Sequence, residues 1–466
     1  MIVAARADQI CDWTGGSLLA GAAGRSARGT RIDSREVGGD ELFVAIVGPN
    51  HDAHRFVPEV LRKDVAGVLV QRGCCEETLV PGRAFVIEVE DTTRALGLLG
   101  HGHRQSFQGP LVGITGSNGK TTTKELCTGI LEQMGPTLST RGNLNNNFGV
   151  PLTLLARREE DRFAVVEMGM NHRHEIAALC QIALPTIGIL TNVGTAHIEF
   201  LGSREAIAAE KGDLLASLPA HGTAVLPRDE PLAFDQGRRS AARKLSFGRD
   251  PLADLRASRI RFLAEGAFVF DFESPFGRGE IRVPGLAETM VENSLAAAGG
   301  ALAAGATLDA VVRGLAGYAG VPGRMQPRRL AGGVLAIDDS YNANPQSMKS
   351  ALETLARLEQ KGRRLAVLGR MGELGEQADA AHLELGRLAA ELAIDELFVL
   401  GAEAAKIASG ARAAGMPGDR VHFEETASAL AKRVRSRLAE GDRVLFKGSR
   451  SARVENVIEA LEEGDS

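Results

Sequence analysis

The run Gly113-Ile-Thr-Gly-Ser-Asn-Gly-Lys-Thr-Thr-Thr-Lys-Glu125 carries the residue types that hold a phosphate chain. The general pattern G-x-x-x-x-G-K-[ST] asks for glycine at position 114, where Ile114 stands instead. A shorter loop starting at Thr115 needs only Gly116 and Gly119. Glycines let the backbone approach an anion closely, and amides at a helix start favour negative charge. Lys120 can then reach the β- and γ-phosphates, and the Thr121 hydroxyl can hold Mg²⁺. The plainer reading is a glycine-rich turn with a solvated lysine. The order apolar strand, loop, helix favours phosphate binding by Thr115, Gly116, Ser117, Asn118, Gly119, Lys120, Thr121 and Thr122.

Other polar residues fall where short apolar runs end. Glu167 closes Phe163-Ala-Val-Val-Glu167, where a carboxylate can take Mg²⁺ directly or through water. His197, in Thr191-Asn-Val-Gly-Thr-Ala-His-Ile-Glu199, follows the next strand and can converge on the same crevice. Lys211 sits in a helical stretch, Ala206 to Asp213, and by itself reads as a surface lysine. His172 and His174 lack a ligand pattern and read as a solvated helix start. Arg324, after Val321-Pro-Gly at a domain boundary, has a plainer reading as a surface ion-pair partner, which is the lesser alternative to a ligand contact. Asp339, Tyr341 and Asn342 precede Pro345 and can cap the helix that begins there, touch a ligand, or do both.

The elements that must position these residues alternate in type. Residues 1–108 mix short apolar runs (42–47, 67–70, 84–89) with turns, as a small α/β domain does, and the polar stretch His101 to Pro110 reads as a linker. Residues 109–326 alternate strands (110–115, 163–167, 186–192) with helices (120–134, 173–181), then add antiparallel strands at 250–283 and an Ala-rich helix from about Asn293. Residues 327–466 repeat strand and helix at least four times, with strands at 334–338, 364–368, 397–400 and 443–446. Such alternation implies doubly wound parallel sheets, whose ligands collect at the carboxyl ends of the strands. The fold class is α/β in three domains, the central one a P-loop parallel sheet and the last Rossmann-like.

Composition sets the remaining bounds. At 466 residues the chain exceeds one core, and a net charge of −5 with scattered basic residues gives no nucleic-acid footprint. Cys11, Cys74, Cys75, Cys127 and Cys180 have no zinc spacing, so reduced thiols and a cytoplasmic location are expected. No apolar stretch approaches about 18 residues, and the start, with Arg6, Asp8 and Asp12, does not read as a signal peptide.

The shortened phosphate loop, T-G-[ST]-x-G-K-[ST], resembles that of the ATP-dependent Mur ligases and the related folylpolyglutamate synthetases. Asp33-Ser-Arg35, Gly39-Asp-Glu-Leu-Phe43 and Asp52-Ala-His54 look like the N-terminal module of the Mur branch. Gly142-Asn-Leu-Asn-Asn-Asn-Phe-Gly-Val-Pro-Leu-Thr-Leu-Leu155 is similar to its substrate loop, and Asp339-Ser-Tyr-Asn-Ala-Asn-Pro345 and Gly448-Ser-Arg450 agree with it. The resemblance implies an amide ligase using ATP and Mg²⁺, two ions, on UDP-N-acetylmuramoyl-tripeptide and D-alanyl-D-alanine in peptidoglycan precursor synthesis, acting as a monomer. It implies catalytic Lys120, Glu167, His197 and a carbamylated Lys211, with metal on Thr121, Glu167 and His197. Asn293, Arg324, Asp339 and Asn342 would meet the nucleotide, and Ser34, Arg35, His54, Asn145, Asn146, Tyr341 and Asn344 the substrates. Rivals are another amino-acid ligase of the same superfamily and an impaired homologue that only binds nucleotide or UDP-sugar. Three segments depart from the family pattern: Gly285-Leu-Ala-Glu-Thr-Met290 lacks a histidine near Thr289, Pro227-Arg-Asp-Glu230 replaces Asn-Ala-Asp-Asp, and Gly369-Arg-Met371 puts Arg370 where an acid is usual.

Overall fold

The computed structural model describes residues 1–48, 50–74, 82–359 and 362–463; Cys75 lies outside them. The first five-stranded sheet contains β1 (Ser17–Ala20), β2 (Thr30–Arg31), β3 (Leu42–Val44), β4 (Gly67–Gln71) and β5 (Phe85–Val89), in the order β1-β5-β4-β3-β2. Only β1 runs antiparallel to its neighbour. Helix α1 (Thr92–Gln105) follows, with the Asp91 carboxylate accepting the Arg94 amide at 2.9 Å as its cap.

The expected linker at 101–110 is therefore mostly the last turns of α1. His103 and Arg104 are buried, and the Arg104 guanidinium donates to the carbonyls of Ala183 at 2.9 Å and Phe107 at 2.6 Å. These polar side chains serve packing against the central unit, so their polarity misleads as a solvent signal. Only 106–110 connects the two units.

The central nine-stranded sheet is built from β6 (Leu111–Thr115), α2 (Lys120–Glu132), β7 (Thr137–Ser139), α3 (Gly149–Leu155), β8 (Phe163–Glu167), α4 (Glu175–Ala183), β9 (Ile187–Leu190), α5 (Ile198–Leu201), α6 (Arg204–Ala216), β10 (Thr223–Pro227), β11 (Arg243–Gly248), β12 (Leu255–Leu263), β13 (Ala267–Ser274), β14 (Gly277–Pro284), α7 (Met290–Ala303) and α8 (Leu308–Ala316). Its order is β7-β8-β6-β9-β10-β11-β12-β13-β14, parallel as far as β12 and antiparallel beyond. Both faces are covered, which explains the unbroken apolar run of β6. Val112, Ile114 and Ile189 pack under Leu126 and Ile130 of α2 and Leu295 of α7. Leu111, Ala164 and Val166 face Leu179 of α4 and Leu214 of α6.

The last six-stranded sheet holds β15 (Gln326–Arg329), β16 (Leu335–Asp339), α9 (Pro345–Arg357), β17 (Arg364–Leu368), α10 (Ala378–Glu391), β18 (Glu396–Leu400), α11 (Ala405–Ala413), β19 (Val421–Glu424), α12 (Ala427–Arg437), β20 (Arg443–Lys447) and α13 (Glu455–Glu463). Its order is β15-β16-β20-β17-β18-β19, with β15 alone antiparallel. The carboxyl ends of β6, β8 and β9 and those of β16 and β20 open onto one cleft of about 500 Å³.

Candidate functional site

The loop between β6 and α2 is built for close approach. Gly116 has φ +154° and a Cβ there would collide with Thr191 Oγ1; Gly119 has φ +79° and a Cβ would collide with Asn293 Oδ1. The segment after β9 braces the loop. Asn192 accepts the Ser117 amide at its carbonyl at 3.0 Å and the Asn118 amide at its side-chain oxygen at 2.9 Å. Thr191 Oγ1 donates to the Asn118 carbonyl at 2.6 Å. Asn192 is a structural partner that sequence reasoning passed over, although its strand end was the signal. Thr115 and Gly116 lie beneath the loop: the Thr115 hydroxyl donates to the Met168 carbonyl at 2.9 Å, and the Gly116 carbonyl accepts Lys120 Nζ at 2.8 Å. Burial, helped by Arg324 and opposed by Glu167, lowers the Lys120 ammonium from its ordinary range.

Glu167 is buried, not a solvated strand end. Thr121 Oγ1 donates to its Oε2 at 2.9 Å, Asn145 Nδ2 to its Oε1 at 2.8 Å, and its own amide donates to Thr140 Oγ1 at 3.0 Å. Oxygen donors so arranged suit a hard divalent cation. His197 also lines the cleft but turns to the C-terminal unit. Glu373 Oε2 is 2.5 Å from its Nδ1. That contact holds the Glu373 carboxyl below its usual range. Both residues have left-handed backbone, φ +65° and +58°.

Lys211 is fully enclosed on α6. Burial, then the nearby Lys120 charge, pushes its ammonium well below the usual range, with Glu210 opposing. The surface reading of this lysine is thereby replaced. His172 and His174 are exposed ahead of α4, as their sequence suggested.

The C-terminal unit meets the loop directly. Asn344 Nδ2 donates to Asn118 Oδ1 at 2.7 Å, while Asn344 Oδ1 accepts the Ser347 amide at 2.9 Å and caps α9. The α9 cap is thus Asn344, not Asp339, Tyr341 or Asn342, because the residue before Pro345 has the extended backbone a cap needs. Asp339 accepts Lys447 Nζ at 2.6 Å and the Met325 amide at 3.1 Å; Lys447 also donates to the Asn342 carbonyl at 2.9 Å. Arg324 stacks over the Tyr341 ring at 4.2 Å. Asn293, on α7, accepts Thr123 Oγ1 at 3.4 Å beneath the loop. Of the departing segments, Thr289 and Glu230 line the cleft, and Glu230 accepts the Val193 amide at 3.1 Å.

The remaining residues lie apart from this cluster. Asn146 Oδ1 accepts the Gly149 amide at 2.9 Å at the start of α3. In the N-terminal unit Arg35 pairs with Asp33 at 2.5 Å, and Lys63 Nζ donates to the Ser34 carbonyl at 2.7 Å. His54 is buried; its Nε2 accepts the Gln71 amide at 2.8 Å, so Nδ1 carries the proton donated to Asp52 at 2.7 Å.

Comparison with known proteins gives a consistent set. The family profile of the Mur ligase middle domain matches residues 114–301, and that of the Mur ligase, glutamate ligase domain, matches residues 323–450. UDP-N-acetylmuramoyl-tripeptide--D-alanyl-D-alanine ligase of Escherichia coli K12 is 35% identical over 402 residues, 86% of each chain. The Bacillus subtilis 168 protein of that name is 34% identical, covering 82% of each. The crystal structure of MurF from Acinetobacter baumannii superposes with a TM-score of 0.88 at 32% identity over 99% of both chains. The MurF ligase of Thermotoga maritima in complex with ADP gives 0.82 at 32% identity, covering 94% of this chain and 97% of that one.

Proposed function

The chain belongs to the Mur ligase family, and on that premise we propose that it joins D-alanyl-D-alanine to UDP-N-acetylmuramoyl-tripeptide with ATP, forming an amide bond through an acyl phosphate. The observation that carries the reading is the single cleft in which the Lys120 loop, the buried Glu167–Thr121–Asn145 cluster and Asp339, Asn344 and Lys447 of the C-terminal unit meet. A loop alone serves any phosphate chemistry. A loop closed over by a second sheet also provides room for two further reactants.

In this reading the tripeptide's terminal carboxylate attacks the γ-phosphorus of ATP, the bond to the β–γ bridging oxygen breaks and ADP leaves, with the Lys120 ammonium against the transferring phosphoryl oxygens. The amine of the dipeptide then adds to the activated carbonyl, gives up a proton to solvent, and phosphate departs as the tetrahedral intermediate collapses to the amide. Thr121 and Glu167 are the oxygen donors that would hold Mg²⁺, with the cleft-lining His197 as a nitrogen donor beside them. When bound, Mg²⁺ neutralises charge on the phosphates. Asn293, Arg324 and Asn342 flank the same cleft and would border the nucleotide, with the N-terminal unit taking the UDP-sugar. Burial and the neighbouring Lys120 charge disfavour the Lys211 ammonium; addition of its neutral amine to carbon dioxide with loss of one proton to solvent would leave a carbamate anion, which suits Lys120 better than a second cation does.

The test is phosphate release with ATP, the UDP-tripeptide and the dipeptide, leaving out each in turn. Release is expected only with all three. Release that ignores the dipeptide defeats the ligase reading.

A further inference from the structure

We infer that Lys124 is a positioning residue for Glu167: its buried ammonium fixes Thr140, and Thr140 fixes the backbone from which Glu167 presents its carboxylate to the cleft. The inference rests on the ligase reading above and extends it to a side chain that does not itself line the cleft.

Lys124 closes the motif that opens α2, and phosphate binding leaves it unused. Its side chain is 1% exposed. Taking an ammonium out of water is costly, and an unbranched apolar side chain would fill the space without that cost. Its contacts account for the charge. Nζ donates to the Thr140 carbonyl at 2.8 Å and pairs with the more exposed Glu125.

Thr140 is the next link. It is buried, its amide donates to the Val165 carbonyl at 3.1 Å, and its Oγ1 accepts the Glu167 amide at 3.0 Å. It therefore continues the pairing of β7 with β8 one residue past β7, to the point where Glu167 ends β8. The same helix reaches the other end of Glu167. Thr121, three residues before Lys124 and so on the same face of α2, donates to the Glu167 carboxylate at 2.9 Å. One helix face thus holds Glu167 by its amide, through Thr140, and by its carboxylate, through Thr121. Thr140 is also the root of the segment that carries Asn145, whose Nδ2 donates to the second carboxylate oxygen at 2.8 Å.

Lys124→Met keeps an unbranched side chain and removes the charge. In the nucleotide-free protein its Mn²⁺ affinity, read by electron paramagnetic resonance, should fall on the order of 10-fold, and amide exchange should quicken at Glu167 and across 141–148. The Mg²⁺ concentration for half-maximal phosphate release should rise by a similar factor, with excess Mg²⁺ restoring part of kcat and the KM for the dipeptide unchanged. Thr140→Val removes the acceptor of the Glu167 amide and leaves the carbonyl that Lys124 bonds; it should weaken Mn²⁺ binding in the same direction, and the double variant should lose less than the two single losses combined. Wild-type Mn²⁺ affinity and wild-type exchange at Glu167 in folded Lys124→Met overturn the inference, as does full additivity in the double variant. If Lys124→Met does not fold, Thr140→Val decides, and wild-type Mn²⁺ affinity there overturns it. Absence of turnover in the wild type overturns the ligase reading, whereas normal wild-type turnover with an indifferent Lys124→Met overturns this inference alone.

Discussion

Glu167 is held from three directions, by Thr121, Asn145 and Thr140, so its position is set before any ligand arrives. Glu167→Gln keeps the side chain's size and removes its charge; kcat should fall on the order of 10²- to 10³-fold with little change in melting temperature. A fall in kcat matched by loss of folded protein would instead mark a packing role. Lys211 makes a sharper case because its charge is in question. Lys211→Ala should abolish turnover, and a small carboxylate such as acetate or propionate added in solution should restore part of it; an active mutant would falsify the carbamate. At this scale the sequence was legible where a residue had a local pattern, as Lys120 and Thr121 do, or closed a strand, as Glu167 does. Glu230 had neither mark, and Lys447, though it closes β20, lies one residue beyond the strand read at 443–446. Lys447 finds its partner Asp339 108 residues away, and that pairing is a property of the β16-β20 neighbourhood rather than of either segment. Burial of Lys211 likewise comes from the packing of α6 and not from its polar surroundings in sequence.

Helix α9 begins at the phosphate loop, so its cap does two jobs. Asn344→Ala removes the cap and the contact to Asn118 together, and should cost about 1 kcal/mol of stability by chemical denaturation while raising the KM for ATP. Asn344→Asp keeps the cap but replaces the amide donor; unaltered nucleotide affinity in that variant would confine Asn344 to capping. Helix α1 gives a pH test. His103 is buried, with Nδ1 unpartnered and Nε2 3.4 Å from the Val3 carbonyl, and burial, with Arg157 adding to it, lowers its pKa from 6.5 to about 4. The unfolded chain therefore binds this proton first. The stability is complete above pH 6.5 and lost as pH falls towards 4, by roughly 3 kcal/mol in all. Melting curves between pH 4 and 8 should show a shallower acid limb for His103→Leu than for wild type, whatever their offset at pH 8. The strand-helix alternation was readable because buried parallel strands are short apolar runs. The end of α1 was not, since a helix that buries His103 and Arg104 against carbonyls has the composition of a linker.

The two doubly wound sheets were foreseeable from rhythm, but their mutual placement follows only from long-range contacts. Three of these tie the C-terminal unit to the loop face: Asn344 to Asn118 at 2.7 Å, Gln346 to Thr195 at 2.9 Å and Glu373 to His197 at 2.5 Å. The third engages Nδ1 of a histidine that the sequence reading gave to metal, and both residues have left-handed backbone. A divalent cation that took the same Nδ1 would compete with Glu373 for His197. A competing state lowers apparent affinity in proportion to its population. Glu373→Ala should therefore reduce the Mg²⁺ concentration for half-maximal activity by about threefold or more, and tighten Mn²⁺ binding to the nucleotide-free protein as read by electron paramagnetic resonance. His197→Ala should remove that gain when combined with Glu373→Ala, because both act on one equilibrium. If Glu373→Ala leaves both the Mg²⁺ requirement and Mn²⁺ binding unchanged, the contact serves only to seat the C-terminal sheet against α5, and its loss should then appear as faster amide exchange across 371–377 instead.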